Sequence, residues 1–174
     1  KKMTTGEVAC FMSHFLLWKH CLEINEPILI FEDDAIINNS FNESYYESLM
    51  EKIDFLYLGR NENKPENVVD VDDNLEIPGY AYNMHAYAIS PSGAKKLLST
   101  NIKTNIIPVD DYVAIMKKSI NVFALKESVA KQHLRSFLGS DVEQTNDEDY
   151  FIDFTTHPIT VGTDRKRCTP VNDS

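Results

Sequence analysis

With 174 residues, 43% of them hydrophobic and 25% charged, the chain has enough apolar material for one globular domain with a core of its own. A net charge of −10 argues against a nucleic-acid binder, which needs clustered lysine and arginine, and the one dense basic run is Arg165-Lys166-Arg167 near the end. Three cysteines, Cys10, Cys21 and Cys168, make no disulfide framework, and no apolar run reaches membrane-spanning length.

The chain opens on "KKMTTGEVAC", with no leading Met and no signal-type segment, as a fragment of a longer chain would. Its compartment is left open, with the cytoplasm read ahead of the ER lumen. Thr4 and Glu7 predict a capping box, and Val8, Phe11, Phe15, Trp18 and Leu22 recur at helical spacing, so 4–25 reads as an amphipathic helix closed by Pro27. Ile28 to Phe31 is a continuous apolar run, read as a strand buried on both faces of a parallel or mixed sheet. A second helix is expected over 41–53 and a second buried strand over 54–59, ending at Gly59. The polar, proline-punctuated stretch 60–79 reads as a loop with one short strand. A strand at 85–90 leads to Ser90-Pro91, a cap residue followed by proline, which opens a helix over 91–100. A helix at 108–119 and strands at 121–126 and 128–133 complete the core. The division is a core of 1–140 and an acidic, hydrophilic extension of 141–174, beginning "DVEQTNDEDY".

Glu32, Asp33 and Asp34 stand at the C-terminal end of the first strand, where open α/β sheets bind ligands. Three adjacent carboxylates repel one another unless a cation or hydrogen-bond donors compensate, and oxygen ligands suit Mg²⁺ or Mn²⁺. A polar strand exit that caps the next segment is the plainer reading. Asp110 and Asp111 fall in the first turn of a helix, where they either complement its dipole or act in proton transfer. Cys10 and His14 are one helical turn apart, but with Cys21 a further seven residues on they do not make a full metal set, and no zinc site is expected. Tyr80 and Tyr82 could stack on a sugar or fill the core, and the core reading leads. The sequons at Asn38, Asn42 and Asn172 are taken as chance.

"TTGEVACFMSHFLLWKHCLEINEPILIFEDDAII" is followed in order by "DFLYLGR", "GYAYNMHAYAISPSGAKKLL", "IPVDDYVAIM" and "SDVE". Over residues 4–143 these blocks resemble glycosyltransferase family 25, the lipooligosaccharide β-galactosyltransferases and collagen hydroxylysine galactosyltransferases. The resemblance implies an α/β, GT-A-like fold, a mixed and mostly parallel sheet flanked by helices, here lacking the N-terminal nucleotide-binding strand-helix unit. It implies metal-dependent transfer of galactose or glucose from UDP-galactose or UDP-glucose to a glycan or collagen-like acceptor, with inversion. Mn²⁺ (or Mg²⁺) would sit on a "DxD" motif, here Glu32-Asp33-Asp34, with Asp34 the main ligand and Glu32 and Asp33 sharing metal, water or ribose contacts. His133 would be a further metal ligand, and Ser13 with His14 would lie near the donor. Asp110 matches the family's "PVDE" pattern as the base, with Asp111 the fallback. His85 departs from the expected neutral residue and could shape acceptor choice. The other reading is a truncated or degenerate transferase-like module that binds glycan or protein without catalysis.

Overall fold

The computed structural model describes residues 3–62, 67–100 and 106–132. The first helix, α1 (Thr5–Ile24), starts on the expected capping box. The Thr4 hydroxyl accepts the Glu7 N–H at 3.1 Å, and the Glu7 carboxylate accepts the Thr4 N–H at 2.7 Å. Two orphan donors of the first turn are thereby satisfied. Asn25, left-handed at φ 54°, ends the helix two residues before Pro27.

The remaining elements are β1 (Ile28–Phe31), β2 (Ala35–Ile37), α2 (Glu43–Leu49), β3 (Phe55–Glu62), β4 (Val69–Asp70), β5 (Leu75–Ile77), β6 (Ala81–Ile89), α3 (Pro91–Leu98), α4 (Val109–Met116), β7 (Val122–Leu125) and β8 (Ala130–Gln132). Helix α2 is shorter than the expected 41–53, since a helix continued to Ile53 would leave nothing to turn into β3 at Phe55. Strands β3 and β6 are longer than expected, and the 60–79 loop contributes two short strands. The expected extension of 141–174 lies outside the described residues.

Six strands form one sheet in the order β1-β6-β3-β7-β5-β4, and β2 pairs with β8 in a separate ribbon. The α/β class is borne out, but the sheet is mostly antiparallel: β3–β7 is its one parallel pair. The expectation of a mostly parallel sheet rested on unbroken apolar runs, which report burial on both faces and not strand direction. Here both faces are covered. Phe55 and Tyr57 of β3 with Tyr87 and Ile89 of β6 pack on Phe11, Trp18, Leu97, Tyr112 and Val113 of α1, α3 and α4. Leu56 and Leu58 with Ala86 and Ala88 face Tyr46, Met50 and Val129 on the other side. The alternation follows the two-residue period of a strand.

Two glycines mark where backbones meet. A Cβ on Gly93 would lie 2.2 Å from the Asp54 carbonyl oxygen, and one on Gly59 would lie 2.3 Å from the Ala130 carbonyl oxygen and 2.6 Å from His85 Nε2. The first contact seats α3 against the start of β3; the second lets β8 lie close over the sheet.

Asp54 is buried and accepts from Lys96 Nζ at 2.6 Å and from the Asn121 N–H at 2.9 Å. Burial alone would raise its pKa, but the Asn121 N–H and the Lys96 ammonium outweigh that and hold the carboxyl below its ordinary value of 3.8. A lowered folded-state pKa contributes stability that is fully present above the unfolded value and is lost as pH falls through the folded one. Melting temperature should therefore drop more steeply below about pH 3.8 in the wild type than in Asp54→Asn. Parallel acid limbs in the two proteins would remove this role.

Candidate functional site

The three carboxylates at the end of β1 diverge. The Ala35 N–H donates to the Glu32 carbonyl at 3.0 Å, closing a tight turn with Asp33 and Asp34 at its corners. The turn sends the side chains three ways. Glu32 reaches α1, its Oε1 lying 3.3 Å from His14 Nε2. Asp33 is exposed. Asp34 turns to the β2–β8 ribbon, where its Oδ2 accepts from Gln132 Nε2 at 2.8 Å.

A polar chain continues from there. Gln132 Oε1 accepts from Asn83 Nδ2 at 3.0 Å, and the Asn83 backbone N–H donates to Asp110 Oδ2 at 3.2 Å. Asn83 holds φ 62°, a conformation asparagine tolerates better than most residues. It sits where the β3–β6 register shifts, between the pairs Gly59↔Ala86 and Asn61↔Tyr82. Such irregularities re-aim a residue out of the ladder. Here a backbone N–H faces one carboxylate while the side chain of the same residue is tied, through Gln132, to the other. The acids of β1 and α4, far apart in sequence, thus belong to one hydrogen-bonded constellation.

Asp34 also carries a buried oxygen, Oδ1, with no hydrogen-bond partner among the described residues. A buried, unsatisfied carboxylate oxygen is costly. A divalent cation would relieve that cost, so the residues present fit one: Asp34 with its vacant lone pairs, exposed Asp33 beside it, and an amide holding the other oxygen in place. Hard oxygen donors of this kind suit Mn²⁺ or Mg²⁺.

Asp110 and Asp111 face different surroundings. Asp110 ends the polar chain and acts on the buried Tyr57 phenol, whose pKa is raised by burial first and by the Asp110 charge second, while Arg60 pulls it down. Asp111 accepts from the Tyr80 hydroxyl and lines a groove of about 540 Å³ with Glu7, Tyr80, Ile107, Pro108 and Ile115. Tyr80 is half-buried and Tyr82 exposed, with ring centroids 4.4 Å apart. The core reading of these two tyrosines is therefore corrected: Tyr80 lines the groove, and the ring of the exposed Tyr82 packs against it.

His14 is buried, and its Nδ1 lies 2.8 Å from the Tyr87 hydroxyl, which also accepts from Trp18 Nε1 at 3.0 Å. Tyr87 lies deep in the core, and burial raises its pKa well above the ordinary phenol value. Ser13 is exposed and donates to the Ala9 carbonyl of its own helix at 3.0 Å. His85 is fully buried, with Nε2 3.4 Å from the Ala130 carbonyl oxygen and its own carbonyl accepting the Glu32 N–H at 2.9 Å, so it would not touch an acceptor directly. His133 lies outside the described residues. The sequence reading missed Asn83 and Gln132. An asparagine inside an otherwise apolar strand was an available signal for the first; nothing local marked the second. It also missed that Glu32 supplies a third donor beside Cys10 and His14: one atom from each lies within 4.8 Å of the others.

The profile of glycosyltransferase family 25 (LPS biosynthesis protein) matches residues 1–113, a span that holds α1, the three carboxylates that follow β1, Asn83, Asp110 and Asp111. Among curated proteins, the chain is similar to the rat "Probable inactive glycosyltransferase 25 family member 3", with 34% identity over 126 residues, 67% of this chain and 22% of that protein. It is similar to the mouse "Procollagen galactosyltransferase 2" at 33% identity over 148 residues, 79% of this chain and 24% of that one. The "Glycosyltransferase 25 family member" of Anopheles gambiae is 33% identical over 124 residues, 67% of this chain and 21% of the mosquito protein. The chain thus spans between a fifth and a quarter of the length of these relatives. With a family profile over more than half its length and relatives above 30% identity over two thirds of it or more, the chain belongs to glycosyltransferase family 25.

Proposed function

We propose that this chain carries the catalytic acids of a metal-dependent hexosyltransferase that moves galactose or glucose from a UDP-sugar to a hydroxyl of a glycan or of hydroxylysine in a collagen-like acceptor, with inversion. The observation that carries the reading is the chain of hydrogen bonds from Asp34, with a buried oxygen that has no partner among the described residues, to Asp110. An inverting transfer needs a base at the attacking hydroxyl and positive charge at the leaving diphosphate, which a carboxylate-held cation would supply. Asp34 is the principal metal contact, with Asp33 beside it and His133 as a further ligand; Glu32 is engaged by His14. When bound, Mn²⁺ or Mg²⁺ neutralises the charge that builds on the departing diphosphate as the glycosidic bond breaks. Asp110 takes the acceptor's proton as that oxygen forms its bond to the anomeric carbon, and the UDP oxygen leaves with the electrons of the old one. Asn83 and Gln132 hold the two carboxylates at a fixed separation. Tyr80, Tyr82 and the groove beside Asp111 offer aromatic faces and apolar walls to the acceptor.

A second reading has its own support, since several relatives are named as inactive. In it the domain binds a glycan or a partner protein without turnover. Thermal melts with MnCl₂, with UDP and with both separate the two. A ligand held only by the folded state at 100 times its Kd adds about 2.7 kcal/mol, a rise of roughly 5–10 °C for a domain of this size. The transferase reading expects a rise with both additions that exceeds the sum of each alone. A response to glycan with none to Mn²⁺ and UDP would favour the binding module.

A further inference from the structure

Cys10 and His14 stand one turn apart on α1, at i and i+4, and β1 delivers Glu32 against them. One donor atom from each residue lies within 4.8 Å of the other two, and the His14–Glu32 edge is already 3.3 Å. In a tetrahedral site with Zn–S near 2.3 Å and Zn–N or Zn–O near 2.1 Å, donor atoms are about 3.4–3.6 Å apart. The His14–Glu32 edge is already near that spacing, and the two edges to the Cys10 sulfur close on it from within 4.8 Å. The set is a thiol, an imidazole and a carboxylate, which differs in kind from the all-oxygen surroundings of Asp34. A thiolate with an imidazole selects a borderline-soft ion over Mn²⁺ or Mg²⁺.

The surroundings of His14 are those of a held ligand. The residue is 3% exposed, and the ring nitrogen turned away from Glu32 meets the Tyr87 hydroxyl, itself fixed by Trp18. A metal-bound histidine characteristically gives its second nitrogen to a fixed partner in this way. Glu32 keeps a quarter of its side-chain surface in solvent, which leaves an approach from outside.

We propose that Cys10, His14 and Glu32 form a binding site for a Zn²⁺-type dication, with three protein ligands and a fourth position open to water or to an anionic group. On binding, the Cys10 thiol loses its proton to solvent. The hydrogen on His14 moves to Nδ1, where the Tyr87 oxygen accepts it, and Nε2 turns from donor to Glu32 into donor to the metal. The site is separate from the Asp34 centre and does not depend on the transfer reaction.

Co²⁺ titration followed by absorbance, with Zn²⁺ as competitor, tests it on the intact chain. The wild type should show a thiolate-to-cobalt charge-transfer band in the near ultraviolet that saturates with one Co²⁺ at this site, apart from any Co²⁺ taken up by the Asp34 oxygens, and that Zn²⁺ abolishes. Cys10→Ser should lose the band and bind Zn²⁺ at least about 100-fold more weakly, and Tyr87→Phe should weaken binding by about 10–100-fold as an orienting partner is removed. Cys21→Ser, Cys168→Ser and Asp34→Asn should keep both band and affinity. A band that survives in Cys10→Ser, or Zn²⁺ affinity equal in Cys10→Ser and wild type, overturns the assignment. Because Asp34→Asn addresses the Mn²⁺ centre alone, failure of one site is read independently of the other.

Discussion

Asp110→Asn is expected to lower sugar transfer by about 10²–10⁴-fold, the range for losing a general base. The substitution is close to silent structurally. An asparagine can present its carbonyl oxygen to the Asn83 N–H, which now donates to Asp110 Oδ2 at 3.2 Å, so the link to Gln132 and Asp34 survives while the proton acceptor does not. UDP–Mn²⁺ affinity should stay within about twofold, because that end of the constellation is untouched. Asp111→Asn is the control. Its carboxylate accepts from Tyr80 at the groove and complements the α4 dipole, and losing its charge should cost less than about 1 kcal/mol of stability. Single-turnover transfer, measured beside UDP–Mn²⁺ affinity in both variants, decides. Loss of transfer in Asp111→Asn alone moves the base one residue along, and full transfer in both places it elsewhere in the protein.

The elements that were legible in the sequence are those set by chemistry a few residues wide. Thr4 with Glu7, and Ser90 with Pro91, mark helix starts because the groups they satisfy lie within one turn. Strand direction was not legible. An antiparallel strand covered by helices on both faces shows the same unbroken apolar run as a parallel one, so Ile28 to Phe31 could not announce that it pairs with 86–89 in the opposite sense. The carboxylates themselves were found by residue type. Their partners were not, because contact depends on pairing at long range: Gln132 meets Asp34 across 98 positions, through the register Ala35↔Gln132 of the β2–β8 ribbon.

Gly59 is the floor beneath Ala130, and an added Cβ would push on the carbonyl of β8 and on His85 together. The glycine that ends the block "DFLYLG" therefore supports the site from below: it lets the strand bearing Gln132 approach the sheet closely enough for its amide to span Asn83 and Asp34.

Asp34→Asn is expected to abolish most of the divalent-cation dependence of donor binding while the fold stays intact. The logic lies in its two oxygens. Oδ2 accepts from Gln132 Nε2 at 2.8 Å, and Oδ1 is buried without a hydrogen-bond partner among the described residues. An asparagine that keeps its carbonyl toward Gln132 preserves the first contact and replaces the second oxygen with an amide nitrogen, which cannot ligate a hard cation. The half-buried carboxylate loses its charge but keeps the Gln132 contact, so the apoprotein's melting temperature should hold. UDP-dependent Mn²⁺ titration would then fall by at least about 100-fold in affinity, and the combined Mn²⁺–UDP stabilisation of the wild type would vanish. His133→Ala should give a smaller loss of the same kind, with His20→Ala, on the exposed side of α1, unchanged. Should Asp34→Asn bind Mn²⁺ and UDP as the wild type does, the acids after β1 are a polar strand exit held by Gln132 and His14. The divalent ion would then have to be held by residues other than these.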